Sequence, residues 1–157
     1  MHTVALVFDN ESQDKINNIR NVLNDNNIKS DLILNHISIV GFMNDLSVDI
    51  IQEINSYFKD LNPIELTIIG INTFNDEKNV IYLEFGESRE LKKIQKEFID
   101  YMKQYNLEIK KYYLNDFIPH TTVAININKK EMYDGVKLLN EKIVFPIKVV
   151  LNKIDFL

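Results

Sequence analysis

Two four-residue segments of the sequence combine side chains that can transfer protons at a phosphate ester. They are HISI at 36–39 and HTTV at 120–123, and each contains a histidine, any residue, a hydroxyl residue and an apolar residue. Because an imidazole titrates near pH ~6.5, one ring can accept a proton while a second ring donates one. Hydroxyl groups can donate hydrogen bonds to the non-bridging oxygens, which carry charge in the transition state. The pair of segments therefore indicates acid and base chemistry at a phosphodiester, with no metal ligand required.

Each segment places its histidine and its hydroxyl on one side if it forms a β-strand. Side chains alternate across a strand, so His36 and Ser38 share one face, as do His120 and Thr122. We predict that the two histidines are catalytic and that the two hydroxyls bind substrate. The alternative for a single strand histidine is a ring whose hydrogen bonds are satisfied by a neighbour, and β-propensity alone can explain the hydroxyl residues. Two such segments in matched strands favour catalysis over this alternative.

The elements that must position these segments form a repeated pattern. Apolar periodicity predicts a first unit of strand 3–8, helix 11–25, strand 32–40, helix 46–60 and a strand IELTIIGI that Pro63 opens. A second unit has strand 79–85, a helix capped by Ser88, the strand PHTTVAIN, a helix near 129–141 with a capping box from Asn128 and Glu131, and the strand IVFPIKVVL. The units cover about 1–75 and 76–157 of one domain. Each histidine motif falls in the middle strand of its unit.

The repeat favours an α+β fold of two pseudo-symmetric lobes, each a small, mainly antiparallel sheet with helices. A doubly wound parallel sheet is the alternative, but such a sheet normally has a glycine-rich turn after its first strand. Here that turn is FDNES, and the chain has only four glycines. Two packed lobes related by a pseudo-twofold axis predict that the motif strands face each other across a central cleft.

Composition excludes several classes of function. The chain has 23 acidic and 18 basic residues and a formal charge of −5, which argues against binding along the phosphate backbone of duplex DNA. It has no cysteine, so disulfides, thiolate zinc sites and a cysteine nucleophile are excluded. No apolar run approaches the roughly 20 residues needed to cross a bilayer. We expect a cytoplasmic monomer that has no cofactor and no membrane partner.

The paired motifs resemble those of the 2H phosphoesterases, a family that includes RNA 2′,3′-cyclic phosphodiesterases and 2′-5′ RNA ligases. The two histidines are 84 residues apart and Pro119 precedes the second one, while LTIIGINTF followed by NVIYLEF is similar to the segment between the family's motifs. The resemblance spans almost the whole chain. It implies a bilobal, metal-free enzyme that acts on the cyclic phosphate of a nucleotide or RNA end. One departure is Asn126, because several members have a basic residue a few positions after the second motif.

The same residues allow other interpretations. The enzyme could process another small phosphodiester or join RNA ends, and a catalytically idle module that binds an RNA terminus is the rival from a different class. His2 could complete a zinc site with the motif histidines, although we expect it at a solvated terminus. Tyr112 and Tyr113 could stack on a nucleobase, and Lys110 and Lys111 could contact phosphate, although packing and solvation are the commoner outcomes.

Overall fold

The computed structural model describes residues 1–157 and contains six strands and five helices. In chain order they are β1 Thr3–Phe8, α1 Asn10–Asp25, β2 His36–Gly41, α2 Val48–Tyr57, β3 Ile64–Phe74, β4 Val80–Phe85, α3 Arg89–Met102, α4 Lys111–Asn115, β5 His120–Ala124, α5 Lys129–Lys142 and β6 Ile147–Phe156. The fold is therefore α+β, as the sequence predicts. None of the helices is both long and apolar enough to cross a membrane.

All six strands belong to one antiparallel sheet with the order β2-β1-β6-β3-β4-β5. The small antiparallel sheets predicted for the two lobes are joined edge to edge into this one sheet. The reason is the length of β3 and β6, which have 11 and 10 residues. Along one part of their length β3 and β6 pair with each other, and along the rest each pairs with a strand of the other unit, β3 with β4 and β6 with β1. A pseudo-twofold arrangement results, in which the motif strands β2 and β5 are the two ends of the sheet.

The helices and one face of the sheet share a single hydrophobic core of 30 buried residues. Alternation in β1 sends Val4, Leu6 and Phe8 into this core. In α3 the buried residues are Leu91, Ile94, Phe98 and Met102, which follow the spacing of one helical face. Because these apolar stripes cover one face of the sheet, the other face is left for the polar side chains of the motifs.

Several boundaries differ from those predicted. The strand predicted over 32–40 begins only at His36, and the one predicted from Pro119 begins at His120 and ends at Ala124. The last strand begins after Pro146, since proline has no N–H to give to a sheet. The short helix α4 was not predicted, because five residues are too few to show an apolar period.

Gly135 lies inside α5, where the sequence suggests a weakened helix. The helix continues through this position without interruption. A Cβ atom at residue 135 would lie 2.7 Å from Cδ1 of Ile81 on β4. The glycine therefore lets α5 approach the sheet more closely than any other residue would allow.

Candidate active site

The two motif histidines occupy equivalent positions, each at the first residue of a terminal strand. The alternation predicted from the sequence is observed in both strands. His36, Ser38, His120 and Thr122 are half-buried, whereas the residues between and after them are buried in the core. Each terminal strand therefore presents an imidazole and a hydroxyl on the face of the sheet that the helices do not cover.

Both imidazoles are held by the same backbone contact. Nδ1 of His36 lies 2.8 Å from the carbonyl oxygen of Leu34, and Nδ1 of His120 lies 2.7 Å from that of Ile118. A carbonyl oxygen can only accept a hydrogen bond, so Nδ1 carries the proton in each ring. In the neutral imidazole Nε2 is then the basic nitrogen, and it is the atom that can exchange a proton with a ligand.

The fold brings the two motifs together. The hydroxyl of Thr121 in the second motif donates a 3.0 Å hydrogen bond to the carbonyl oxygen of His36 in the first. Burial lowers the pKa of His120, its bond to the Ile118 carbonyl acts in the opposite direction, and the charge of His36 lowers the pKa further. The charge of the first imidazole therefore acts on the protonation of the second. Of the four motif side chains, only Thr122 belongs to a residue that lines one of the five surface cavities.

Helices from the opposite lobe fix the outer edges of the motif strands. Arg20 on α1 is only 2% exposed and donates to the carbonyl oxygens of Thr122 at 2.6 Å and Val123 at 3.2 Å. At the equivalent edge, Gln95 on α3 donates to the carbonyl oxygen of Ile39 at 3.1 Å. Each terminal strand is therefore tied to a helix of the other lobe.

Arg20 also reaches the residue that precedes the first histidine. Its Nε donates to Oδ1 of Asn35 at 2.7 Å, and Asn35 is fully buried. The Asn35 amide groups donate to Oε1 of Gln13 at 2.8 Å and to Oδ1 of Asn17 at 2.8 Å. Sequence reasoning missed this network, although one signal was available: Arg20 lies four residues after Ile16, on the apolar stripe of α1.

The surroundings of His120 are aromatic. The rings of Phe74 and Tyr82 meet it edge to face, with centroid distances of 5.0 and 5.2 Å. The hydroxyl of Tyr112 donates to the carbonyl oxygen of Ile118 and accepts from the amide of the same residue, both at 3.1 Å. Tyr112 thus fixes the backbone that holds His120, and its hydroxyl is committed to that backbone.

Tyr113 lies beside the first motif. A Cβ atom at Gly41 would lie 2.6 Å from its ring, so the ring packs directly on the backbone of β2. Burial raises the pKa of Tyr113, and a hydrogen bond with Ser38 acts in the opposite direction. The tyrosine ring therefore packs against the strand that carries Ser38.

The remaining candidates lie outside this arrangement. His2 is 51% exposed, with Nδ1 4.0 Å from a carboxylate oxygen of Asp45, at the solvated terminus predicted for it. No three histidine, aspartate or glutamate side chains come together as a metal-binding set. The backbone amide of Lys110 donates to the Gly41 carbonyl at 2.8 Å. Asn126 lies two residues after the end of β5 and has a positive φ of 60°, a backbone conformation that asparagine tolerates.

Comparison with known proteins agrees with this geometry. A family model described as the 2′-5′ RNA ligase superfamily matches residues 8–157. The chain belongs to this superfamily. The resemblance to 2H phosphoesterases that the paired motifs indicate is thereby confirmed.

The same fold is found in a solved structure of low sequence similarity. The crystal structure of TT0787 of Thermus thermophilus is similar to this superfamily member with a TM-score of 0.60 at 10% identity, over 98% of this chain and 82% of that chain. At such an identity the similarity establishes the fold alone. No curated protein sequence matches the chain.

Proposed function

We propose that this superfamily member is a metal-independent phosphodiesterase that hydrolyses 2′,3′-cyclic phosphates of nucleotides or RNA ends. The observation that carries the proposal is the equivalent anchoring of two neighbouring imidazoles. Each ring donates its Nδ1 proton to the backbone two residues earlier, which leaves Nε2 for chemistry. Two rings in the same tautomer on joined strands suit a reaction in which one proton leaves water and another reaches the departing oxygen.

His120 suits the role of general base. Burial lowers its pKa, so the ring is neutral at physiological pH and can take a proton from water. The water oxygen then bonds to phosphorus in line with the ribose oxygen that departs. His36, in its protonated form, gives a proton to that oxygen as the P–O bond breaks. Ser38 and Thr122 donate hydrogen bonds to the two non-bridging oxygens, where charge accumulates.

A kinetic comparison of two variants tests this proposal. The protein is incubated with EDTA and a panel of nucleoside 2′,3′-cyclic phosphates, and the assay is repeated with His36→Ala and His120→Ala. Each substitution should lower kcat by about 10² to 10⁴, the usual contribution of one positioned acid or base. Activity that requires added metal, or that survives both substitutions, contradicts the proposal.

A change of leaving group distinguishes the roles of the two histidines. A phosphodiester with a weakly basic leaving group, such as p-nitrophenolate, needs no proton as its bond breaks. His36→Ala should therefore lose much less activity on such a substrate than on a cyclic phosphate, whereas His120→Ala should lose as much. The opposite pattern would reverse the assignment of acid and base.

Membership of the 2′-5′ RNA ligase superfamily supports a second candidate, the joining of RNA ends. Ligation opens the same cyclic phosphate with the 5′ hydroxyl of an RNA in place of water: the hydroxyl oxygen bonds to phosphorus, the ribose 3′ oxygen departs, and the two histidines would keep the roles proposed for hydrolysis. Incubation of an RNA ending in a cyclic phosphate with an RNA that has a free 5′ hydroxyl distinguishes the two outcomes. A longer product that carries a 2′-5′ bond indicates ligation, and an opened terminal phosphate indicates hydrolysis.

A further inference from the structure

The register of the sheet shows which charges lie beside the proposed catalytic groups. Residues opposite one another on antiparallel strands share a face, so each motif residue belongs to a row of three. The rows are His36–Val7–Lys153, Ser38–Ala5–Asp155, His120–Glu84–Gly70 and Thr122–Tyr82–Asn72. Together they contain one lysine and two carboxylates, apart from the histidines themselves.

Lys153 is the one cation of these rows and is free to meet a ligand. It is exposed and takes part in none of the ion pairs of the protein. It lies two strands from His36, about 10 Å between Cα atoms, and its side chain projects from the same face. An ammonium group on its flexible stem can reach a phosphate held between the imidazoles.

Neither of the two arginines lies on a strand of the sheet, because Arg20 belongs to α1 and Arg89 to α3. Proteins that follow a nucleic-acid backbone use a groove lined with several lysines and arginines. The chain has two arginines, and Arg20 is buried and engaged with backbone carbonyls. Arg89 is thus the only arginine with an exposed side chain. Within the rows of the motif residues the positive charge matches one phosphate group, and Lys110, whose stem approaches Gly41 of β2, lies outside these rows.

The segments that border the histidines are aliphatic and acidic. They are DLILN at 31–35 and LNDFIP at 114–119, and their only charged residues are aspartates. The exposed aliphatic side chains are Leu32 at 64%, Ile33 at 51%, Leu34 at 43%, Leu114 at 51% and Ile118 at 44%. Because the carbonyls of Leu34 and Ile118 bind the imidazoles, this rim adjoins the site directly. A polyanion that entered the site would have to pass this aliphatic and acidic rim.

We propose that the ligand of this site is a cyclic phosphate on a single nucleoside-sized body, with its phosphate near Lys153, and not the end of an RNA chain. This inference rests on the proposed function and narrows its substrate class. An apolar rim suits a nucleobase, which has large uncharged faces, whereas each additional phosphate would meet carboxylates and aliphatic groups.

A chain-length series tests the inference. We would compare kcat/KM for a nucleoside 2′,3′-cyclic monophosphate with that for oligoribonucleotides of about five and about ten nucleotides with the same cyclic end, at low and at physiological salt. The kcat/KM of the oligonucleotides should not exceed that of the mononucleotide. At low salt, where charge repulsion is less screened, their kcat/KM should be lower still relative to the mononucleotide. An oligonucleotide preferred by about tenfold or more, with affinity that weakens as salt rises, overturns the inference.

Measurements of binding affinity distinguish an error in this inference from an error in the proposed function. Mononucleotides and oligonucleotides that end in an open 3′ phosphate need no catalysis, and their Kd values give the same comparison even if nothing is turned over. Tighter binding of the longer ligands overturns the inference, whereas equal or weaker binding supports it. Absence of turnover on every cyclic phosphate would contradict the proposed function alone.

The role of Lys153 is tested with a charge-matched control. Lys153→Met should weaken binding of the mononucleotide by about tenfold, the effect of one charge-assisted contact. Lys137→Met removes the same charge from an exposed position on α5, which packs on the opposite face of the sheet, and should leave the Kd unchanged. Equal effects of the two substitutions would contradict a local contact with the phosphate.

Discussion

Replacement of Arg20 by methionine should destabilise the protein more than any single substitution in the motifs themselves. The guanidinium group is 2% exposed and donates four hydrogen bonds, to Asn35, Ser30, Val123 and Thr122. Methionine has a similar length and no donor. The substitution therefore leaves buried acceptors on β5 and in the segment before β2 without the charged group that satisfied them.

The expected cost follows from the two short bonds. A hydrogen bond to a charged group contributes about 1.5 to 3 kcal/mol, and the bonds to Asn35 and Thr122 are the shortest at 2.7 and 2.6 Å. Loss of these two bonds would lower the free energy of unfolding by about 3 to 6 kcal/mol. Removal of the buried charge offsets part of this loss, because the desolvation penalty of the guanidinium is also removed. Burial lowers the pKa of Arg20 to about 10, which shows that this penalty is present. We expect a net loss of about 3 kcal/mol in the free energy of unfolding.

Urea denaturation at neutral pH, followed by circular dichroism, measures this loss. Gln95→Leu is the matched control, since it removes a single neutral side chain that ties the equivalent edge of the sheet to α3. It should cost about 1 kcal/mol. If Arg20→Met costs no more than this control, with the same dependence on urea, then the guanidinium does not hold the two lobes together.

Three further predictions concern the motifs and the core. Because burial lowers the pKa of His120, the unfolded state takes up a proton first as the pH falls below about 6.5, so stability should decrease on acidification through that range. His120→Gln should show a smaller decrease in urea titrations at the same pH values. Thr121→Val removes the hydrogen bond to the His36 carbonyl and should lower kcat while KM changes little, at a cost of about 1 kcal/mol in urea denaturation. Gly135→Ala should lower the melting temperature, although alanine has the better helix propensity, because the new methyl group would meet Ile81. The expected cost in the free energy of unfolding is about 1 to 3 kcal/mol. An unchanged or higher melting temperature would contradict the close approach of α5 to the sheet.

The parts of the fold that depend on local pattern could be predicted from the sequence. Alternation within a strand is a property of neighbouring residues, so the shared face of each histidine and its hydroxyl followed directly from spacing. Helix α5 with its capping box was predicted on similar grounds and is observed, with the Asn128 side chain and the Glu131 side chain each bound to the other's backbone. These features need no knowledge of distant contacts.

Features that depend on distant residues were beyond such reasoning. The union of two sheets into one depends on the pairing of β3 with β6, which are about 80 residues apart in the chain. The ties from Arg20 to Thr122 and Val123 span more than 100 residues. Periodicity shows that Arg20 interrupts an apolar stripe, but only the packing of α1 against β5 shows which groups receive its hydrogen bonds.

The two lobes share a backbone arrangement but differ in the side chains that surround it. Each imidazole is anchored two residues upstream, and each edge carbonyl meets a helix of the other lobe. Only the second histidine is enclosed by Phe74 and Tyr82, and only its anchoring carbonyl also accepts a hydrogen bond from a tyrosine. Two identical imidazoles would titrate alike, and neither would be biased toward acid or base. In the proposed function the repeated backbone would supply two equivalent proton-transfer positions, and the aromatic burial of one ring would distinguish the proton acceptor from the proton donor.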